Sequence, residues 1–100
     1  MEVLEFQKVC SSIVKKIDKK YSIDRTEQVN ISQLIEELGE LAKEVNKEKL
    51  RGKKAEKSDL EDEFADVILQ LLTLAETFEV DIEKAVKTKI KILKQRHDLL

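Results

Sequence analysis

The sequence predicts an all-α protein, and three observations carry this prediction. The 100 residues include no proline and only two glycines, which are too few turn residues for a β-sandwich or a barrel. Apolar residues recur at spacings of three and four in four separate segments, as they do on one face of a helix. With 41% apolar residues and a formal net charge of −2, the chain is not disordered by composition. Its length allows one domain, residues 1–100.

The first two predicted helices each carry an apolar stripe. The first ends at a break over residues 21–25, and its stripe consists of Val3, Phe6, Val9, Cys10, Ile13, Val14 and Ile17. The second runs from about Thr26 to Lys47, and its stripe consists of Ile31, Leu34, Ile35, Leu38, Leu41, Ala42 and Val45. Gly39 lies inside the second helix, where a glycine costs about 1 kcal/mol of helix propensity. We therefore expect close packing against the backbone at Gly39.

Two further helices are predicted in the second half of the chain. Residues 48–57 are polar, include a glycine and lack an apolar stripe, which predicts a loop. Ser58 and Glu61 have the spacing of a capping box, so the third helix should begin there. Residues 79–81 end the third helix. Asp81 is a good N-cap for a fourth helix, which starts at Ile82 and continues nearly to the end of the chain.

Composition also narrows the classes of function. Nineteen basic residues against 21 acidic ones give no strong electrostatic field, so neither a nucleic acid nor a membrane surface is expected as a partner. No apolar run of 18 residues occurs, and the one cysteine forms no internal disulfide, so we expect a cytoplasmic protein. A chain of this length is near the lower limit for a self-sufficient core, which makes a partner chain plausible.

The most informative feature is the position of the acidic residues on the second and third helices. The second helix carries E-E-x-x-E at Glu36, Glu37 and Glu40, and the third carries E-x-x-D at Glu63 and Asp66. Glu37 and Glu40 lie roughly 100° and 160° to one side of their apolar stripe. Glu63 and Asp66 lie roughly 90° and 150° from theirs, in the same sense. If the loop folds the two helices antiparallel, equal offsets bring these four carboxylates to the same side of the hairpin.

Four converging carboxylates have a definite chemistry. They repel one another unless a cation neutralises them, and oxygen ligands without Cys or His suit a hard ion such as Mg²⁺ or Mn²⁺. A di-iron bundle would need Glu-x-x-His pairs, whereas the one histidine, His97, lies near the C-terminus. The same spacing of acids is also common on solvated helix faces. From spacing alone, both interpretations remain open.

The two acidic segments resemble a known family. LIEELGELAKEV at residues 34–45, followed by EDEFADVILQLLTLAE at residues 61–76, is similar to the MazG-like all-α nucleoside triphosphate pyrophosphohydrolases. Their signature is E-E-x-x-E, a variable spacer and E-x-x-D. The resemblance implies a four-helix core of antiparallel helices that dimerises into a larger helical bundle, as a homodimer or homotetramer. It also implies Mg²⁺-dependent hydrolysis, with Mn²⁺ as an alternative ion, of an NTP or dNTP to monophosphate and pyrophosphate. The sequence leaves open whether the role is housecleaning of aberrant nucleotides or control of a normal nucleotide pool.

The resemblance suggests roles for individual residues. The residues that match the family's metal ligands are Glu37, Glu40, Glu63 and Asp66. Glu36 matches an additional glutamate that orients or deprotonates the attacking water. Lys89 and Arg96 match basic positions that grip phosphates, although ordinary cations are also common on the last turns of a helix.

Two positions depart from the family pattern. Gln70 stands where many relatives carry an aromatic residue, and Leu93 stands where many carry Asn. Because both positions would lie near the substrate, a second interpretation stays open, a helical regulatory or interaction module on the same fold with weak or no catalysis. A simple coiled-coil adaptor would explain the apolar stripes but not the matching offsets of the acids.

Overall fold

The computed structural model describes residues 2–99. All regular structure in this range is helical, which confirms that the chain is all-α, as predicted. The helices are α1 (Val3–Lys20), α2 (Glu27–Val45), α3 (Lys47–Arg51), α4 (Lys57–Thr77) and α5 (Ile82–Arg96). The four long helices correspond to the four that the sequence predicts. Within residues 2–99, none of them combines the length and the apolar character that crossing a bilayer requires.

Side-chain caps fix the starts of α2 and α5. The Thr26 hydroxyl accepts a hydrogen bond from the Val29 N–H at 3.2 Å, and the Asp81 carboxylate accepts one from the Lys84 N–H at 3.1 Å. Each cap satisfies a backbone donor that has no partner within its own helix. The predicted helix start near Thr26 and the predicted N-cap at Asp81 are therefore confirmed.

The connection between α2 and α4 differs from the prediction in two respects. The predicted loop over residues 48–57 is wrong in its first part, where α3 forms a single turn that buries none of its side chains and so leaves no apolar stripe. Gly52 ends α3 with φ of 67°, a left-handed conformation that glycine adopts without strain. The predicted capping box is also wrong. Because α4 starts one residue after Glu56, Ser58 lies inside the first turn and cannot cap it, and Glu56 makes no side-chain cap bond.

Helix α4 is the central element of the fold. It packs against α2 and α1, and α5 packs against α1. The Asn30 amide donates a hydrogen bond to the main-chain carbonyl of Gln70 at 3.1 Å, whereas Glu37, further along α2, lies beside Asp66, earlier on α4. A later residue of α2 is therefore paired with an earlier residue of α4. The two helices run antiparallel, as the site prediction required.

The interior of the single chain is unusually polar. Its buried apolar side chains are Cys10, Val14, Val67, Leu72 and Ala75, and its buried polar ones are Gln7, Ser11, Asp18, Asn30, Gln70 and Thr73. Much of the apolar stripe of each helix instead faces outward. Phe6, Ile13, Ile35 and Phe64, from three different helices, are between 44% and 63% exposed.

The expected close packing at Gly39 is wrong for this chain. A Cβ atom built at Gly39 would meet no atom within 4 Å. Gly39 lies nine residues, or two and a half turns, after Asn30, which is buried against α4. The glycine is therefore on the opposite, outer side of α2.

Candidate metal centre

Three of the predicted acidic residues meet between α2 and α4. Glu37 comes from α2, and Glu63 and Asp66 come from α4. One carboxylate oxygen of each lies within 4.8 Å of the others. All three side chains are partly buried. The hairpin geometry that the sequence predicts therefore brings these three carboxylates together.

The local sequence explains why these acids face each other. Glu37 shares its face of α2 with Leu34 and Leu41, at spacings of three and four, and all three are partly buried. On α4, Glu63 and Asp66 lie one turn before the buried residues Val67 and Gln70. The acids therefore belong to the packed faces of both helices. This placement shields them partly from solvent.

The three carboxyl groups are electrostatically coupled. Burial raises the pKa of Glu37, and the negative charges of Asp66 and Glu63 raise it further. Burial and the charge of Asp66 raise the pKa of Glu63. Burial and the nearby Asp62 raise the pKa of Asp66. All three shifts have the same direction because each group loses solvent and faces other acids, so a bound cation would relieve the repulsion.

Glu40, the fourth predicted ligand, lies at the edge of this cluster. Its side chain is exposed, and it is not among the three carboxylates that approach within 4.8 Å. Its charge nevertheless raises the pKa of Glu37 and of Glu63. Glu40 is therefore a charged neighbour of the cluster in this chain and not one of its three converging carboxylates.

The donor set fits a hard divalent ion. Mg²⁺ binds oxygen at about 2.0–2.1 Å in an octahedron, so its ligand oxygens lie roughly 3 Å apart when adjacent and roughly 4 Å apart when opposite. Three oxygens within 4.8 Å of one another are close to this spacing. Three carboxylates would also leave coordination positions for water and for substrate oxygens.

The helices that carry these acids lie within a region that matches a known family. The family model of the MazG nucleotide pyrophosphohydrolase domain matches residues 25–100, about three quarters of the chain. The chain belongs to the MazG family. Neither the curated proteins nor the solved structures include a match to this sequence. The MazG match includes α2 to α5 and every candidate site residue, whereas α1 precedes it.

The remaining predicted residues of the MazG domain lie away from the three clustered acids. Glu36 is on the exposed face of α2, where it lines an open depression of about 350 Å³ with Thr26, Ser32 and Gln33 among its neighbours. Lys89 and Arg96 are exposed on α5. Because α5 packs against α1, these two cations are not part of the α2–α4 seam that holds the acids.

The two departures from the MazG pattern occupy different environments. Gln70 is 9% exposed, and its side-chain oxygen accepts a hydrogen bond from Arg25 at 3.1 Å. Leu93 is 37% exposed on α5. Gln70 is therefore part of the interior one turn after Asp66, whereas Leu93 lies on an outer surface.

The sequence reasoning missed a set of polar residues behind the acids. Arg25, Asn30 and Gln33 all lie on the inner side of the α2 region, and Asn30 is 1% exposed. The apolar stripe gave no signal for Asn30 and Gln33, because they lie roughly 80° and 140° from its centre, on the same side as Glu37. Their spacing of seven and four residues before Glu37 places Asn30 and Gln33 on the same side of α2 as that acid, which is the signal that could have identified them.

Proposed function

We propose that this protein hydrolyses a nucleoside triphosphate, either an NTP or a dNTP, to a nucleoside monophosphate and pyrophosphate, with Mg²⁺ or Mn²⁺ as its cofactor. The observation that carries the proposal is the convergence of Glu37, Glu63 and Asp66 from two antiparallel helices of a MazG domain. A role in removing unwanted nucleotides from the cellular pool is consistent with this chemistry.

Each acid of the site has a proposed task. Glu37, Glu63 and Asp66 bind the divalent ion, and Glu40 joins them by turning inward. When bound, the ion supplies positive charge next to the triphosphate oxygens and Lewis acidity towards water. The helices hold the carboxylates rigidly, so little reorganisation is needed when substrate arrives. Water adds to the α-phosphorus, the bond from that phosphorus to the bridging oxygen breaks, and pyrophosphate leaves.

Glu36 is proposed to orient or deprotonate the attacking water. Its carboxylate is close enough to raise the pKa of Glu37, yet it belongs to the exposed face of α2, where it can meet solvent and substrate. Glu36→Gln should therefore lower kcat about 100-fold, the usual scale of a lost general base, while Mn²⁺ affinity stays within about twofold. Steady-state kinetics and Mn²⁺ titration test this.

The matched control for Glu36 is Glu27→Gln, an exposed glutamate in the first turn of the same helix. This control variant should retain its activity. An unchanged kcat in Glu36→Gln would contradict the role in water activation. A loss of Mn²⁺ affinity as large as the loss of kcat would instead make Glu36 a metal ligand.

Lys89 and Arg96 are proposed to bind the phosphates of the substrate. Both are exposed cations on α5, separated by seven residues, so they lie on the same side of the helix two turns apart. Because α5 packs against α1, this role requires a complete site in which α5 and the acids face one substrate. A second copy of the chain provides one way to build such a site.

Two or four copies are proposed to form the working enzyme. The chain exposes 8006 Å², whereas a compact monomer of 11.6 kDa exposes about 5,800 Å². Its radius of gyration is 16.4 Å, against about 13 Å for a compact 100-residue domain. An excess of roughly 2,200 Å² per chain matches the area of an obligate homodimer interface, and the outward apolar stripes supply the chemistry for one.

Charge placed on this apolar surface should separate the subunits. Phe64 is 54% exposed on α4, so Phe64→Lys would bury a charge in the proposed interface. We expect light scattering to give a dimer or tetramer for the parent protein and monomer for the variant, with a lower Tm. The control is Asp59→Lys, which adds positive charge at an exposed position roughly 140° around the same helix from Phe64. A monomeric parent protein would contradict the proposed assembly.

A pyrophosphate-release screen tests the function itself. Each NTP and dNTP is incubated with the full chain and Mg²⁺, with EDTA as the control, and products are identified by chromatography. In ¹⁸O-labelled water, attack at the α-phosphorus places the label in the monophosphate and none in pyrophosphate. No product from any nucleotide, with a folded and metal-replete protein, would contradict the enzymatic proposal. Calorimetry would then test the alternative interpretation. If neither Mg²⁺ nor nucleotide binds, the protein is a helical regulatory or interaction module without catalysis.

A further inference from the structure

An arginine outside the acidic cluster ties together the three helices around it. Arg25 lies between α1 and α2, and its Nε and Nη2 donate to the two carboxylate oxygens of Asp18 on α1, at 2.6 and 3.0 Å. Its Nη1 donates to the Gln33 side chain at 2.6 Å and to the Gln70 side chain at 3.1 Å. Four of its five N–H donors are thus used. The Arg25 and Asp18 side chains are only 13% and 9% exposed.

The two glutamines place this network directly beside the acids. Gln33 lies four residues before Glu37 on α2, and Gln70 lies four residues after Asp66 on α4. Each is therefore one helical turn, roughly 6 Å, from an acid of the cluster. Because α2 and α4 run antiparallel, both glutamines lie on the same side of the cluster, and the Arg25 guanidinium spans the gap between them.

The contacts of Arg25 with Gln33 and Gln70 hold α2 and α4 together next to the acidic cluster, where repulsion between the carboxylates acts to separate the two helices. Glu37, Glu63 and Asp66 repel one another when ionised, and this repulsion acts to separate α2 from α4. One nitrogen of Arg25 holds a glutamine from each helix. The planar guanidinium is in turn fixed by its two-point contact with Asp18. Asp18 thereby couples α1, which precedes the MazG match, to the spacing of the acidic residues.

We propose that Arg25 is a positioning residue of the metal site, which sets the separation of α2 and α4 through Gln33 and Gln70 so that Glu37, Glu63 and Asp66 can bind one divalent ion. This inference rests on the proposed function for the metal and adds a residue that contacts neither metal nor substrate. The role differs from that of a simple fold-stabilising ion pair, because it depends on the contacts of Arg25 with Gln33 and Gln70 and can be lost while the Arg25–Asp18 pair stays intact. Metal affinity should respond more than folding does.

The sharpest test removes the link to the helices and keeps the buried ion pair. The double variant Gln33→Ala with Gln70→Ala retains the contact between Arg25 and Asp18 but leaves Nη1 without its two acceptors. Loss of a residue that orients metal ligands typically weakens metal binding 10- to 100-fold, so we expect at least a tenfold rise in the Kd for Mn²⁺. Free Mn²⁺ is quantified by electron paramagnetic resonance. The titrations are run at a temperature well below the Tm that each variant shows in a separate measurement with EDTA.

Variants of the arginine itself complete the series. Arg25→Lys keeps the charge near Asp18 but cannot hold both glutamines, because an ammonium lacks the planar fork of guanidinium. It should fall between the parent protein and Arg25→Met in Mn²⁺ affinity. The control is Arg51→Met, an exposed arginine on α3, which should bind Mn²⁺ as the parent does. If Arg25→Met fails to fold, Arg25→Lys and the double glutamine variant still decide the question.

The outcomes separate this inference from the proposed function. If the parent binds Mn²⁺ and the double glutamine variant binds it within twofold, the positioning role is overturned, even if the Tm in EDTA falls. If the parent binds Mn²⁺ but hydrolyses no nucleotide, the proposed reaction fails while a tenfold loss of affinity in the variants still supports the positioning role. A parent protein that binds no Mn²⁺ overturns both.

Discussion

Asp66→Asn should reduce nucleotide hydrolysis by about 10²–10³-fold or more, the scale on which a preorganised electrostatic group contributes to catalysis. The asparagine keeps the size of the aspartate but removes a negative ligand, so the affinity for Mn²⁺ should fall together with the rate. The variant should keep its helical circular dichroism, because Asp66 makes no hydrogen bond that holds α2 to α4 among those between the described residues. Stopped assays of pyrophosphate release and Mn²⁺ titration measure the two effects.

The control for Asp66 is Asp59→Asn, the same chemical change at an exposed position in the first turn of α4. It should retain activity and Mn²⁺ affinity. Glu40→Gln extends the test to the fourth predicted ligand, which lies at the edge of the cluster. A loss of rate in this variant would support the inward turn of Glu40. Full activity in both Glu40→Gln and Asp66→Asn would refute the ligand assignment.

Without divalent metal, thermal stability should fall as the pH rises from about 4 towards 7. The pKa values of Glu37, Glu63 and Asp66 are raised in the folded chain, chiefly by burial. A raised pKa contributes stability below the unfolded value, and this contribution is lost as the pH rises through the folded value. Scanning calorimetry in EDTA across this pH range, at one protein concentration, measures the loss.

Divalent metal should reverse this loss at neutral pH. Mg²⁺ or Mn²⁺ at 100 times its Kd stabilises the folded state by about 2.7 kcal/mol, which corresponds to a rise in Tm on the order of 10 °C for a chain of this length. The rise should be smaller at pH 4, where protonated carboxyls no longer bind the ion. Sodium chloride at matched ionic strength controls for general screening.

Glu63→Gln tests both the pH dependence without metal and the stabilisation by metal. Removing one charge from the cluster should raise the Tm of the metal-free protein at pH 7 and flatten its pH dependence, while the Tm gain from Mg²⁺ should disappear. A metal-independent Tm in the parent protein would contradict the metal site. So would a Glu63→Gln variant that gains as much from Mg²⁺ as the parent does.

The local sequence pattern was enough to predict the long helices and the helix positions of the site acids. The four long helices, the caps at Thr26 and Asp81 and the positions of Glu37 and Asp66 around their own helices all depend on the 3.6-residue period and on short-range hydrogen bonds. These are properties of consecutive residues, so one sequence is enough to read them. The short helix α3 was not predicted, because it buries none of its side chains and its sequence therefore has no apolar periodicity.

The exposure of Glu40 could not be predicted from its angular position on α2. Glu37 and Glu40 differ by only about 60° around α2, so both were expected at the same seam. The depth of each side chain depends on how α2 is rotated against α4, and the observed rotation puts Glu37 in the seam and leaves Glu40 exposed. No property of α2 alone sets that rotation.

By itself, the sequence determined an all-α chain of the MazG family with acids on matching faces of two helices. The tertiary structure alone decided which part of each apolar stripe is buried, which carboxylates approach within 4.8 Å, and that Arg25 joins Asp18, Gln33 and Gln70. The reason is physical. Periodicity fixes the direction of a side chain around its own helix axis, whereas contact depends on the rotation and separation of two helices, which arise from packing between residues distant in the chain.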